Sequence, residues 1–220
     1  MSELWEVLLQ HFPRFRDGFL VTLELVGTSF VIALAVGVLV AGLRVQPIRY
    51  LRWIGTTYVE TFRNVPLLVL LFISFAGIRR AGIEIPRFAA ASGSLGLYTA
   101  AYVAEAIRSG VFAVGKGQID ASLSLGFTYP QTLRQVVLPQ AIRTVIPPLG
   151  SITIAMIKNS AIAGAALALV DDLLKAGRVV NARTFQTNEA FFWAGVGYLI
   201  LTLSATIAIR QLERRLAIKR

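Results

Sequence analysis

Apolar residues run along this chain in five stretches long enough to cross a bilayer, which takes about 20 mostly apolar residues each, and polar residues gather between them. The first covers residues 19–43 and is interrupted only by Glu24. The second covers about 54–78 and carries Glu60, Arg63 and Asn64 in its first half. The third, 88–107, has Glu105 near its end. The fourth, about 141–170, holds Pro147 and Pro148 early and Lys158 and Asn159 midway, and the fifth is 190–209. The pattern predicts an all-α polytopic membrane bundle of five transmembrane helices in one domain, residues 1–220. Ahead of the first stretch, Leu4, Trp5, Leu8, Leu9, Phe12 and Phe15 recur near helical spacing among Glu3, Glu6 and Gln10. This predicts either a short amphipathic helix lying on the outer surface or a plain lead-in to the first span. The first stretch is too long for the apolar core of a signal peptide, which is roughly 7–15 residues, and it holds an acid.

Composition agrees and removes alternatives. The chain is 55% hydrophobic and only 15% charged, where soluble domains carry about 25% charged residues. There is no cysteine, and His11 is the only histidine. Thiolate chemistry, histidine-dependent hydrolysis and histidine-rich metal sites therefore have no basis here, and no metal site is expected. The net charge of +10 follows the loops. Arg44, Arg49 and Arg52, then Arg108, Lys116, Arg134 and Arg143, then Arg210, Arg214, Arg215, Lys219 and Arg220 all fall on one side. The other side holds Arg14, Arg16, Arg79, Arg80, Arg87, Lys175, Arg178 and Arg183, and most of the acids. The positive-inside rule then puts the N-terminus out and the C-terminus in. The basic residues face the inner leaflet, so membrane lipid rather than nucleic acid is the expected partner.

The connection at about 109–143 is the longest. Ile119, Ser122, Leu123 and Gly126 share one face of a short helix that Gly126 would end. Leu133, Val136 and Val137 make a second short amphipathic turn, ended by Pro139. Two such helices projecting from a membrane protein predict a docking surface, or else a re-entrant hairpin. The run Gly110-Val-Phe-Ala-Val-Gly115-Lys116-Gly117 nearly spells a phosphate-binding loop. It lacks the final Ser or Thr and follows a membrane helix instead of a strand, so ATP binding by this chain is not expected.

Charges inside spans are costly, about 2.5–3.5 kcal/mol on insertion scales, so each needs an account. Glu60 with Arg63 and Glu105 with Arg108 stand three apart and are expected to pair, as interface ties or as a gate. Arg143 is a candidate brace for Asp120. Lys158, with Asn159 and Ser160 beside it, must face a cavity, a carboxylate such as Glu24, or backbone carbonyls. Pro147 and Pro148 would bend the start of the fourth span, or else simply suit a helix start. Small residues at fourfold spacing, Ala33/Gly37/Ala41 and Ala161/Ala165 with Gly164/Ala168, allow close helix contact.

The loop also carries a recognisable spacing. Asp120-Ala121-Ser122, three residues, Gly126, nine residues, then Val136-x-Leu138-Pro139 resembles the EAA loop of ABC-importer permeases, Glu-Ala-Ala-x3-Gly-x9-Ile-x-Leu-Pro, with Asp, Ser and Val as mild departures. Tyr58-Val-Glu-Thr-Phe-Arg63-Asn-Val-Pro66, Ala101-Tyr-Val-Ala-Glu105-Ala-Ile-Arg108, Gly117-Gln118 and Leu138-Pro139-Gln140-Ala141-Ile142-Arg143 resemble the polar amino-acid branch, from about Gly18 to the C-terminus. Lys158-Asn-Ser-Ala-Ile162 stands where that family usually has Lys-Asn-Thr-Ser-Leu. The chain ends are most similar to actinobacterial glutamate permeases. The resemblance implies a permease subunit of a type I importer in a bacterial plasma membrane. It also implies a second permease subunit, related or identical, two ATPase subunits that bind ATP and Mg²⁺, and an extracytoplasmic solute-binding protein. Gln118, Asp120, Ala121, Ser122, Gly126, Leu138 and Pro139 would form the coupling surface toward the ATPase. Lys158, Asn159 and Ser160 would line the substrate path, with no catalytic site or bound cofactor in this chain. Glutamate is the implied substrate, with glutamine, aspartate or a basic amino acid as alternatives. A passive channel or carrier, or a sensor without transport, would leave the loop free to vary.

Overall fold

The computed structural model describes residues 2–167 and 169–216, so Ala168, Lys219 and Arg220 lie outside the described residues. Among these the fold is all-helical. The helices are α1 (Ser2–Val45), α2 (Arg49–Asn64), α3 (Leu67–Phe72), α4 (Ile78–Arg80), α5 (Arg87–Phe112), α6 (Lys116–Ser124), α7 (Tyr129–Thr132), α8 (Leu138–Leu167), α9 (Leu173–Thr184) and α10 (Thr187–Leu216). Two π turns, Ile73–Gly77 and Leu133–Val137, join α3 to α4 and α7 to α8.

The N-terminal segment does not form a separate surface helix. It is the first part of α1, which runs unbroken through Pro13 for 44 residues, about 66 Å. Part of its apolar face meets protein: Val7 and Phe15 pack with Leu173, Ala176 and Val180 of α9 and with Ala190 and Ala194 of α10, while Trp5, Leu9 and Phe12 stay exposed. The Trp193 Nε1–H donates to the Leu4 carbonyl at 2.7 Å. Farther along, α1 lies on α5 at close range. A Cβ at Gly37 would meet Val103 at 2.6 Å, and one at Gly96 would meet Ile32 at 2.7 Å. Ala33 and Ala41 are buried in the same seam, the use expected of small residues there.

The expected second span is not one straight helix. α2 and the α3–α4 segment meet at an angle of 100°. Pro66 has no N–H to donate and confines the residue before it to extended backbone. Val65 accordingly sits at φ −92°, ψ 128°. Among the described residues, three stretches are long and apolar enough to cross a membrane, Glu3–Val45, Tyr129–Gly164 and Thr187–Arg215, and the bent pair makes a fourth if taken as one span. α5 has the length, 26 residues, but it spends its side chains on protein contacts. Its small and hydroxylated residues, among them Ala91, Ser92, Ser94, Gly96, Thr99 and Ala104, are buried, so its sequence need not be as apolar as a lipid-facing helix. Leu25, Leu71, Leu95 and Met156 bring α1, α3, α5 and α8 into one core.

α8 stays helical past its prolines, running through Pro147 and Pro148 without a break. The carbonyls those prolines cannot bond belong to Arg143 and Thr144, which lie on an exposed part of the helix. The irregularity comes earlier, at the π turn Leu133–Val137. The chain passes from it into Leu138 and Pro139 without ending: the Leu138 N–H reaches back five residues to the Leu133 carbonyl, and this wider turn makes room for a proline that donates no N–H of its own.

Candidate functional site

The long connection folds into α6, α7 and the π turn, packed at the start of α8. Gly126 adopts φ +86°, a conformation glycine reaches without strain. The Phe127 N–H bonds the Ser122 carbonyl at 3.1 Å and the Gly126 N–H bonds the Leu123 carbonyl at 3.0 Å, which closes the end of α6. Thr128 and Gln131 then form a capping box that starts α7.

The predicted coupling residues divide into two groups. Gln118, Asp120, Ala121, Gly126, Leu138 and Pro139 are exposed and available to a partner. Ser122 is not: it is buried, and its hydroxyl donates to Thr132 Oγ1 at 2.9 Å. It fastens α6 to α7 from within. Arg143 does not brace Asp120. Both are exposed, and no ion pair joins them among the described residues. Beside α6 an apolar cleft of about 410 Å³ opens between Val111, Phe112, Ile119, Tyr129, Leu133 and Val137, so the exposed loop also offers hydrophobic area.

At the same end of the bundle, Glu105 of α5 collects three guanidinium groups. Arg108 Nη2 reaches Glu105 Oε1 at 2.6 Å, Arg44 of α1 pairs with Oε2, and Arg63 Nη1 stands 4.0 Å from that oxygen. Glu60 does not pair with Arg63, although both are on α2. Its carboxylate accepts from Asn64 at 3.3 Å instead. Arg63 turns to Glu105 and stacks on the Tyr102 ring, 5.6 Å from its centroid. A single carboxylate with a second helix's aromatic face beside it outcompetes an exposed neighbour on the same helix. Tyr58 adds a neutral tie between α2 and α5, donating to the Leu97 carbonyl at 2.8 Å.

Lys158, Asn159 and Ser160 lie together on α8 but face different ways. Lys158 is exposed, Asn159 is half-buried and Ser160 is fully buried, with its hydroxyl donating to the Ile157 carbonyl at 2.7 Å. Lys158 has no ion-pair partner among the described residues, and Glu24 is itself exposed. The expected lysine–glutamate pair is absent because each projects away from the bundle.

Sequence reasoning missed a carboxylate at the opposite end. Asp172 is fully buried and caps α9, its Oδ1 accepting from the Lys175 N–H at 2.8 Å. Its Oδ2 accepts from the Tyr198 hydroxyl of α10 at 3.3 Å. The next N–H, Leu173, donates to Thr22 Oγ1 of α1 at 3.0 Å. A Cβ on Gly164 of α8 would overlap the carboxylate. Burial pushes this carboxyl up to about 6, against the lowering effect of its hydrogen bonds to Lys175 N–H and Tyr198. An acidic residue just ahead of a helical pattern is an N-cap signal, so the cap was findable; the contacts with Thr22 and Tyr198 were not.

The model of the family described as binding-protein-dependent transport system inner membrane component matches residues 33–218. The probable glutamine ABC transporter permease protein of Bacillus subtilis is 40% identical, over 96% of both chains. The glutamate transport system permease protein of Corynebacterium glutamicum is 37% identical, over 100% of both. A crystal structure of an amino acid ABC transporter with histidines has a TM-score of 0.88 at 32% identity, covering 94% of this chain and 96% of that one.

Proposed function

This chain belongs to the family of inner membrane components of binding-protein-dependent transport systems, as a permease subunit of an amino-acid ABC importer, and from that premise we propose that it carries glutamate. The observation behind glutamate is the end-to-end match, 37% over 100% of both chains, to a glutamate permease protein. A second reading, glutamine, has its own support in the 40% identical relative.

On this reading the bundle crosses the membrane five times, N-terminus out and C-terminus in, with the bent α2–α4 segment and α5 completing the count. A second permease subunit, related or identical, supplies the other half of the path. Two ATPase subunits seat the exposed face of α6 on the cytoplasmic side, and a solute-binding protein delivers the amino acid from outside. ATP and Mg²⁺ belong to the ATPase subunits, and this chain makes and breaks no bonds. Closure of the ATPase pair moves residues 118–127, and α8, continuous with the loop through the π turn, carries that motion to Lys158, Asn159 and Ser160. The path then alternates between outward-open and inward-open states.

The test is co-expression with the proteins encoded beside it, reconstitution in liposomes, and ATP hydrolysis measured with glutamate, glutamine, aspartate and arginine in turn. Stimulation by glutamate alone, dependent on the binding protein, is the expected result. Stimulation by glutamine alone selects the second reading. No stimulation by any of the four, with the ATPase bound, overturns both.

A further inference from the structure

The N-cap of α9 asks only for a short polar side chain, and Asn, Ser or Thr would serve. The chain instead buries a carboxylate completely, which is costly unless a cation compensates. Lys175 does not supply one directly: its backbone N–H bonds Asp172 at 2.8 Å, while its Nζ bonds the exposed Asp171 at 2.7 Å. The other partners are uncharged. From α8 comes Gly164 and from α10 the Tyr198 hydroxyl; α1 packs Gly18 against the Asp172 main-chain carbonyl and Thr22 on the neighbouring N–H. Thr22 and Ser160 in turn face the Tyr198 hydroxyl, which links the junction to the Lys158–Asn159–Ser160 turn. α8, α9 and α10 thus meet on one carboxylate, with α1 held against the backbone beside it, and that carboxylate weakens the junction whenever it is ionised.

We propose that Asp172 is a positioning residue for transport: its buried carboxylate sets how firmly α9 is held to α1, α8 and α10, and so how readily the end of the bundle away from α6 opens. This rests on the permease reading above. The direction follows from the carboxyl's upward displacement to about 6, with Lys175 drawing it down and Asp171 pushing it up. The neutral form is the more stable one when buried. Its stabilisation is complete below the ordinary aspartate range and is lost as pH rises through about 6. Acid therefore locks the junction, and neutral pH leaves it free to move.

The experiment compares wild type, Asp172→Asn and Tyr198→Phe in the reconstituted importer, measuring amino-acid uptake and thermal unfolding at matched pH on both sides, from about pH 5 to about pH 7.5. Wild type should take up several-fold more substrate at the upper end while becoming less heat-stable. Asp172→Asn should be flat in both, several-fold slower than wild type at the upper end and more heat-stable there. Tyr198→Phe removes a donor that favours the ionised form, so its transition should move to higher pH. An Asp172→Asn variant with the wild-type profile overturns the proposal. So does one that loses stability and uptake together, since that marks a simple cap. Wild type that takes up none of the amino acids at any pH counts against the permease reading instead, and the stability profiles of the three proteins still decide the role of Asp172.

Discussion

Glu105 and Asp172 are two carboxylates that each tie several helices together, and they do it in opposite ways. Glu105 is a quarter exposed and sits among Arg44, Arg63 and Arg108 from α1, α2 and α5. Asp172 is fully buried, and what it accepts from is a backbone N–H and a phenol. Around Glu105 cations outnumber acids, so the carboxylate is the scarce component and the cluster depends on its charge. Among the described residues no ion pair reaches Asp172, so the junction depends on packing and the charge works against it. Removing charge should therefore damage the first site and steady the second.

The largest effect should come from Glu105→Ala. It would strand Arg44, whose side chain is only 9% exposed and whose Nε already lacks a partner. Breaking a buried pair from one side costs about 3–5 kcal/mol. The variant should accumulate poorly or unfold at a markedly lower temperature after purification, and Glu105→Gln should fall between it and wild type. Wild-type heat stability in Glu105→Ala would mean that the three arginines do not need their shared acid. That outcome would erase the contrast with Asp172.

Next in size is Gly164→Val. A side chain there would run into the Asp172 carboxylate, and overfilling a packed site costs about 1–3 kcal/mol. Because the clash is with one named group, Asp172→Ser should relieve part of it. The double variant should then be more stable than the sum of the two single effects, a coupling that thermal unfolding of all four proteins can measure. Strict additivity would place the strain of Gly164→Val elsewhere on α9 and would remove the packing half of the comparison.

What could be read from the sequence was what lies close along it. The stop at Gly126 and the Glu105–Arg108 pair at i,i+3 are local, and helix geometry alone brings them together. Spacing also allowed Glu60 with Arg63, which the fold does not use, since it offers Arg63 a better acceptor on another helix. Arg44 reaches Glu105 across 61 residues, and Thr22 reaches Leu173 across 151. No periodicity carries such contacts, because they depend on which helices pack side by side. The bend at Pro66 and the length of α1 show the same limit. Local signals place breaks and apolar runs, while neighbours decide whether a run such as residues 4–15 lies on lipid or on α9 and α10.

The smallest effect is expected where the sequence keeps the motif's spacing but departs from its residue. Ser122 stands where the resembled motif has alanine, and its hydroxyl has found Thr132 at 2.9 Å and the Ile119 carbonyl at 2.8 Å. Ser122→Ala returns the position to the family's residue, so the backbone of α6 already suits it. The loss is both contacts of that hydroxyl, about 1 kcal/mol for the bond to Thr132, partly offset because alanine is the better helix former. Thr132 keeps its buried hydroxyl but loses the donor, so the cost should show in the loop and not in the bundle. Faster amide hydrogen exchange in α6, with an unchanged unfolding temperature and nearly unchanged transport, is the expected result. A large loss of transport would mean that Ser122 orders the docking face itself. The coupling end would then rest on a single buried polar contact, as the far end rests on Asp172, and the two ends would be more alike than the charges around Glu105 imply.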